Sequence, residues 1–132
     1  MESLMRGMRI LIVEDEFFIR LLLTEFLRDE GFAITEAETG EQAIRLLDRL
    51  ETFDLLLTDI SLPGEANGND VATKAKQLCP DIPVVYSSGR PGSLTNKIGP
   101  GDAFLSKPYR LADLASAVQH ALAPAERHQV PA

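Results

Sequence analysis

The sequence predicts a doubly wound α/β fold: a parallel sheet of five strands in the order 2-1-3-4-5, with helices on both faces. Three observations lead there. Arg9–Val13, Leu55–Thr58 and Ile82–Tyr86 are short runs of almost unbroken apolarity, as expected of strands covered on both sides. Segments with apolar residues at helical spacing alternate with them, and a β-α-β-α order requires parallel strands. Right-handed crossovers then leave few topologies, of which 2-1-3-4-5 is a common one.

The elements follow in order. After the first strand, Arg9–Val13, a helix from about Glu16 to Glu30 carries Phe18, Ile19, Leu22, Leu23, Phe26 and Leu27 as its core stripe. It leaves Phe17 and Leu21 exposed and is closed by Gly31. Phe32–Glu36 alternates apolar and polar residues, which suits an edge strand. Thr39, Gly40 and Glu41 open a second helix reaching Leu50, with Ala43, Ile44, Leu46, Leu47 and Leu50 on its apolar side. Beyond the third strand, Leu55–Thr58, Asn69 or Asp70 caps a third helix that ends at Leu78 before Pro80. Ile82–Tyr86 is the fourth strand, and Ala103–Ser106 is a short fifth. The last helix, Leu111–Leu122, buries Leu111, Leu114, Ala115, Val118 and Leu122. Between the fourth and fifth strands, Gly89–Gly101 holds four glycines and two prolines, so only Ser93–Ile98 is free of helix breakers. A loop with at most one short helical turn is predicted there, giving a short or irregular fourth helix.

The 132 residues fit one domain over residues 9–123, with an extension over 1–8 and a flexible tail over 124–132. With 45% hydrophobic and 25% charged residues the chain is globular, and no apolar run approaches the ~18 residues needed to span a bilayer. A net charge of −7 without a basic stripe speaks against nucleic-acid binding. No apolar leader with a small-residue cleavage site follows the N-terminal charges, and a single cysteine forms no internal disulfide. A cytoplasmic location is therefore expected, with Cys79 filling space near a helix end.

In such a sheet, ligands bind at the carboxyl ends of the strands beside the switch point, here between the first and third strands. Those ends carry Glu14, Asp15 and Asp59, while Ser88 and Lys107 follow the fourth and fifth strands. Singly, each has an ordinary explanation: Asp15 as a helix cap, Asp59 as a turn residue, Ser88 in a Ser-Gly turn, Lys107 as a solvated strand end. Five polar residues of complementary types at one end of four strands favour a joint explanation. Three carboxylates repel one another unless a cation sits among them, which points to Mg²⁺ held by Asp15, Asp59 and a backbone carbonyl, with Glu14 acting through water. Asp59 is then the candidate acceptor in phosphoryl transfer, Lys107 a second positive charge, and Ser88 a hydroxyl donor to a phosphoryl oxygen.

Over about Arg9 to Leu122 the chain resembles the receiver domains of bacterial two-component response regulators. The resemblance lies in the acids after Val13, in the run from Leu57 through Asp59 to Pro63, in Tyr86-Ser87-Ser88-Gly89 and in Lys107-Pro108-Tyr109. It implies a flavodoxin-like fold and transfer of a phosphoryl group to Asp59 from a histidine kinase or histidine phosphotransfer protein. It also implies Mg²⁺ ligation by Glu14, Asp15, Asp59 and the Ser61 carbonyl, a switch made of Ser88 and Phe104, and a cis Lys107–Pro108 bond. The chain is expected to act as a stand-alone phosphorylation-dependent switch or phosphorelay shuttle. No enzyme activity is expected beyond Mg²⁺-dependent self-phosphorylation and slow autodephosphorylation.

Two departures stand out. The loop from Asp59 to Gly68 is longer than the common form, and the interval from Ser88 to Lys107 is shorter, the loss falling where receivers place a helix. Without that helix the usual receiver dimer face lacks its shape. A monomer or a non-standard dimer is expected, with the downstream partner reading the loop or the first helix.

Three alternative readings fit parts of this pattern. A haloacid-dehalogenase-like phosphatase also uses an aspartyl nucleophile, but it needs a second aspartate two residues on, where this chain has Ser61. A nucleotide-binding domain needs a glycine-rich turn after the first strand, and none is present. An interaction module that has lost phosphorylation is the third, against which the intact set of acids, acceptor and lysine speaks.

Overall fold

The computed structural model describes residues 6–123. Its elements are β1 (Arg9–Val13), α1 (Phe17–Asp29), β2 (Ala33–Ala37), α2 (Gly40–Asp48), β3 (Leu55–Asp59), α3 (Gly68–Leu78), β4 (Val84–Ser88), β5 (Ala103–Ser106) and α4 (Leu111–Ala121). The strands form one parallel sheet ordered β2-β1-β3-β4-β5, as the sequence predicts. The predicted tail over 124–132 and most of the predicted N-terminal extension lie outside the described residues.

Alternation along each strand divides the core into two layers. Ile10, Ile12, Leu55, Leu57 and Val85 pack against Leu23 and Leu27 of α1 and Leu114 and Val118 of α4. Leu11, Val13, Leu56, Val84 and Tyr86 pack on the other side against Ala43 and Leu47 of α2 and Val71 and Ala72 of α3. Each large aliphatic side chain buried this way contributes about 1.5–3 kcal/mol. The central strands β1, β3 and β4 are therefore apolar on both faces, which is why they read as continuous runs.

Several local expectations are corrected. In α1 the residues facing the sheet are Arg20, Leu23, Thr24 and Leu27, while Phe18 and Leu22 are exposed like Phe17 and Leu21. The helix is apolar over more than half its circumference, so periodicity alone could not fix which part of that arc faces inward. Gly31 closes it as expected, at φ 103°, with Gly31 N–H on Arg28 O and Phe32 N–H on Leu27 O. Thr39 caps α2 by accepting from Gln42 N–H, but the helix stops at Asp48, and Leu50 takes a left-handed φ of 62° that turns it into solvent. The cap of α3 is Asn67 rather than Asn69 or Asp70: Asn67 and Asp70 form a capping box, and Asn69 is the second residue of the helix, with its side chain buried. Cys79 is exposed at the end of α3 and fills no core space.

β4 runs two residues further than expected, so Ser87 and Ser88 are paired strand residues rather than the start of a turn. Beyond it, no helix forms across Gly89–Gly101, as the breakers require. This strap is nevertheless tied down by side chains. Asn69 on α3 donates to Ser93 O at 3.0 Å and accepts from Thr95 N–H at 3.1 Å. At its far end the buried Asp102 carboxylate accepts from Gly99 N–H and Val84 N–H, both at 2.8 Å, and pairs with Lys76 at 3.2 Å.

Candidate functional site

β1 and β3 are neighbours whose crossovers leave in opposite directions, so their carboxyl ends flank an open crevice. Glu14 and Asp15 follow β1 directly, and Asp59 is the last residue of β3. One carboxylate oxygen from each of the three lies within 4.8 Å of the others. Glu14 and Asp59 are buried, whereas Asp15 is open to solvent. Lys107, beyond the end of β5, reaches across β4 and places its ammonium 3.0 Å from Asp59 Oδ2 and 3.2 Å from Glu14 Oε1. Backbone N–H of Lys107 donates to Ser88 O at 2.9 Å, which fixes the lysine's approach beside the fourth strand. The Lys107–Pro108 peptide is cis.

All five polar residues singled out in the sequence thus come to one edge of the sheet. Ser61, in the loop after β3, donates its N–H to Asp59 Oδ1 at 3.4 Å. Phe104 is half-buried on β5 and packs, with Leu94 of the strap, against the layer formed by α2 and α3. An open groove of about 520 Å³ runs between the loop after β3 and the strap, with Ser61 and Asn67 on one wall and Arg90 and Ser93 on the other.

The electrostatics are unbalanced: three carboxylates face one ammonium. Burial is the main influence on Glu14 and lifts its carboxyl above the ordinary range, with the Asp59 charge adding to it against the Glu16 N–H and Lys107. Burial alone would lower Lys107, but its hydrogen bond to Asp59 and the charges of Glu14 and Asp59 outweigh it and hold the ammonium above its usual pKa. Lys107 therefore stays charged, and the remaining negative charge leaves the pocket able to hold a cation. Hard oxygen donors with open positions suit Mg²⁺, which binds through a few carboxylates and keeps several waters.

Two contributors escaped the sequence reading. Arg20, only 7% exposed, donates to the Glu14 backbone carbonyl at 2.8 Å and pairs with Glu36 at 3.1 Å, fixing the chain between the two acids and α1. Its signal was a lone arginine inside the apolar stretch of the first helix. Glu41 at the start of α2 accepts from Glu65 N–H at 2.8 Å and Ala66 N–H at 3.0 Å, clamping the long loop between Asp59 and Gly68. Nothing in the sequence marks that long-range contact.

A family model for the response regulator receiver domain matches residues 10–119. The chain belongs to the response regulator receiver family. It is 35% identical over 117 residues to the response regulator receiver protein CpdR of Brucella abortus, covering 86% of this chain and 96% of that one. It spans about half the length of several transcriptional regulatory proteins it also matches. Among solved structures, a response regulator receiver protein from Sinorhizobium medicae superposes with a TM-score of 0.82 at 32% identity, covering 88% of this chain and 94% of that chain. TrrA from Thermotoga maritima, solved in complex with Mg²⁺ and BeF, gives 0.75 at 29% identity, over 87% of this chain and 99% of that one. The receiver is thus a phosphoryl-accepting switch module of two-component signalling, and the readings as a phosphatase or as an unphosphorylated interaction module are not favoured. No helix among its described residues is long and apolar enough to cross a membrane.

Proposed function

We propose that Asp59 is the phosphoacceptor, taking a phosphoryl group from the phosphohistidine of a histidine kinase or a histidine phosphotransfer protein. The observation that carries this is the cluster of Glu14, Asp15 and Asp59 oxygens with Lys107 bridging Glu14 and Asp59. In the transfer the P–N bond of the phosphohistidine breaks and a P–O bond to an Asp59 oxygen forms. The imidazole keeps the bonding electron pair and takes up a proton. Asp59 is fixed for in-line attack by its strand, Lys107 pairs with the developing charge, and Ser88 supplies a hydroxyl proton to a phosphoryl oxygen.

Asp15, Asp59 and the Ser61 carbonyl would hold Mg²⁺, with Glu14 acting through water because its carboxylate is already engaged by Lys107 and by Glu16 N–H at 3.1 Å. Bound there, the ion supplies charge neutralisation for the acids and the phosphoryl oxygens. The Mg²⁺ and BeF bound in TrrA support this assignment. Ser88 and Phe104 form the switch: Ser88 turns toward the phosphoryl group, and Phe104 moves inward from its half-buried position.

The functional unit spans residues 9–123 and acts in the cytoplasm as a phosphorylation-dependent switch or phosphorelay shuttle, its own chemistry limited to self-phosphorylation and slow loss of the phosphate. Phe17, Phe18, Leu21 and Leu22, exposed on α1 beside the acids, offer a partner an apolar surface, and the strap offers another. The test is phosphotransfer. Incubation with acetyl phosphate or a phosphorylated kinase and Mg²⁺ should add one phosphoryl group, and either a chelator or Asp15→Ala should suppress the gain. Undiminished transfer in chelator would contradict the metal assignment.

A further inference from the structure

Ser88 is 1% exposed, and its hydroxyl is held from the strap rather than left to rotate. Arg90 N–H donates to Ser88 Oγ at 3.0 Å, and the Ser93 hydroxyl donates to it at 2.8 Å. A hydroxyl oxygen has two lone pairs and one proton, so these two donors fill its acceptor capacity. Its own proton meets only Arg90 O at 3.4 Å, a long contact that contributes little. The Ser88 proton is thus left available for an incoming phosphoryl oxygen.

Ser93 is itself anchored. Its carbonyl accepts from Asn69 Nδ2 at 3.0 Å, and Asn69 Oδ1 accepts from Thr95 N–H at 3.1 Å. Asn96 then donates to Asn69 O at 2.9 Å and to Tyr86 Oη at 3.4 Å. Asn69 is only 6% exposed, so these bonds are made where water competes poorly. The chain of contacts runs from Ser88 through Ser93 and Asn69 to the middle of the strap.

We propose that Ser93 and Asn69 are positioning residues that orient the Ser88 hydroxyl and transmit its displacement to Thr95 and Asn96. This rests on the reading of Asp59 as acceptor. When Ser88 Oγ shifts toward a phosphoryl group, the 2.8 Å bond either draws Ser93 along or breaks. Both outcomes disturb the Ser93 carbonyl, and Asn69 must readjust its bonds to Ser93 and Thr95 together. The strap, standing where receivers place a helix, reports phosphorylation through side-chain bonds rather than through a helix displacement.

The test compares wild-type protein, Ser93→Ala and Ser93→Thr by amide NMR, with and without beryllofluoride and Mg²⁺ as the phosphoryl mimic. Ser93 is partly exposed in a loop, so its replacement leaves the core intact. In wild-type protein the mimic should shift the Thr95 and Asn96 amides and the Asn69 side-chain amide. Ser93→Ala should lose most of those shifts, to a third or less, while the amides of Ser61 and Gly89 still respond. Ser93→Thr, which keeps the hydroxyl, should restore them. Shifts at Thr95 and Asn96 that are unchanged in Ser93→Ala overturn the relay while leaving Asp59 as acceptor. A mimic that perturbs neither Ser61 nor Gly89 in any variant overturns the acceptor reading, and the relay falls with it.

Discussion

The Lys107 ammonium lies 3.0 Å from Asp59 Oδ2, although the two residues are 48 positions apart in the chain. The contact exists because the β3 and β5 ends flank β4, whose Ser88 carbonyl receives the Lys107 N–H. Three parallel strands thus converge on one ion pair, and the pair can be formed only by the folded sheet. Its cation is shared with Glu14, so neither carboxylate is neutralised fully.

Asp59→Asn should abolish acid-labile phosphate incorporation from acetyl phosphate or from a phosphorylated kinase. The amide is a poor nucleophile, and Glu14, also buried at a strand end and paired with Lys107, has its second oxygen engaged by Glu16 N–H. The variant should stay folded, since Lys107 retains Glu14 as a partner. Full labelling of Asp59→Asn would remove the assignment.

The sheet order, the missing helix and the meeting of the five candidate site residues at one sheet edge are legible because each rests on local sequence and topology. Unbroken apolar runs mark Leu55–Thr58 and its neighbours as doubly covered strands, breakers exclude a helix over Gly89–Gly101, and acids at strand ends need only the topology to meet. What stayed hidden depends on contacts between distant segments. Asn69 looks like a cap, yet it serves the strap 24 to 27 residues away. Arg20 looks like a solvated helix residue until β1 and β2 supply the Glu14 carbonyl and Glu36. Phe18 and Leu22 look like core, but the rotation of α1 about its axis is set by which residues the sheet accepts.

Glu41 should make the Glu65 and Ala66 amides sensitive to pH. Its carboxyl is held below the ordinary value of 4.5, first by its own backbone N–H and then by those of Ala66 and Glu65. A depressed carboxylate contributes its stabilisation above the unfolded pKa and loses it as pH falls through the lower folded value. The loop clamp should therefore hold at neutral pH and release only in acid below 4.5. The chemical shifts of the two amides, followed from pH 7 downward, should titrate together with a midpoint below 4.5, and the titration should vanish in Glu41→Ala. A midpoint at or above that value would show the clamp to be absent in solution.

Gly68→Ala should destabilise the protein without touching an ionisable group. The helix α3 begins with Gly68 packed on the chain at the end of β3, where an added Cβ would meet the Asp59 carbonyl oxygen and lie 2.7 Å from Ile60 Cα. Backbone atoms cannot step aside as a flexible side chain would, so the loop or the helix start must shift. Overpacking of this kind costs about 1–3 kcal/mol, or roughly 5–15 °C in melting temperature for a domain of this size. Because the displaced carbonyl belongs to Asp59, phosphoryl transfer should slow as well. An unchanged melting temperature would mean that the close approach is not made in solution.

The strap should show a mixed pattern of amide exchange rather than uniform protection or uniform exposure. Each interior proline costs about 3 kcal/mol in a helix and each glycine about 1, so Gly89–Gly101 has no helical ladder to shelter its N–H groups. Thr95 and Asn96 instead donate to the buried Asn69, and Gly99 donates to the buried Asp102. These three amides should exchange slowly, while those of Gly92, Lys97 and Ile98, which sit in turns or irregular chain, exchange quickly. Phosphorylation should slow exchange across the segment as the strap settles around the moved Ser88. Receivers commonly dimerise through the face built on the helix that is missing here, so light scattering of the beryllofluoride complex should report no dimer of that type. A continuous run of protected amides from Ser93 to Ile98, or a dimer whose contacts map to the strap and β5, would show that a helix forms there after all.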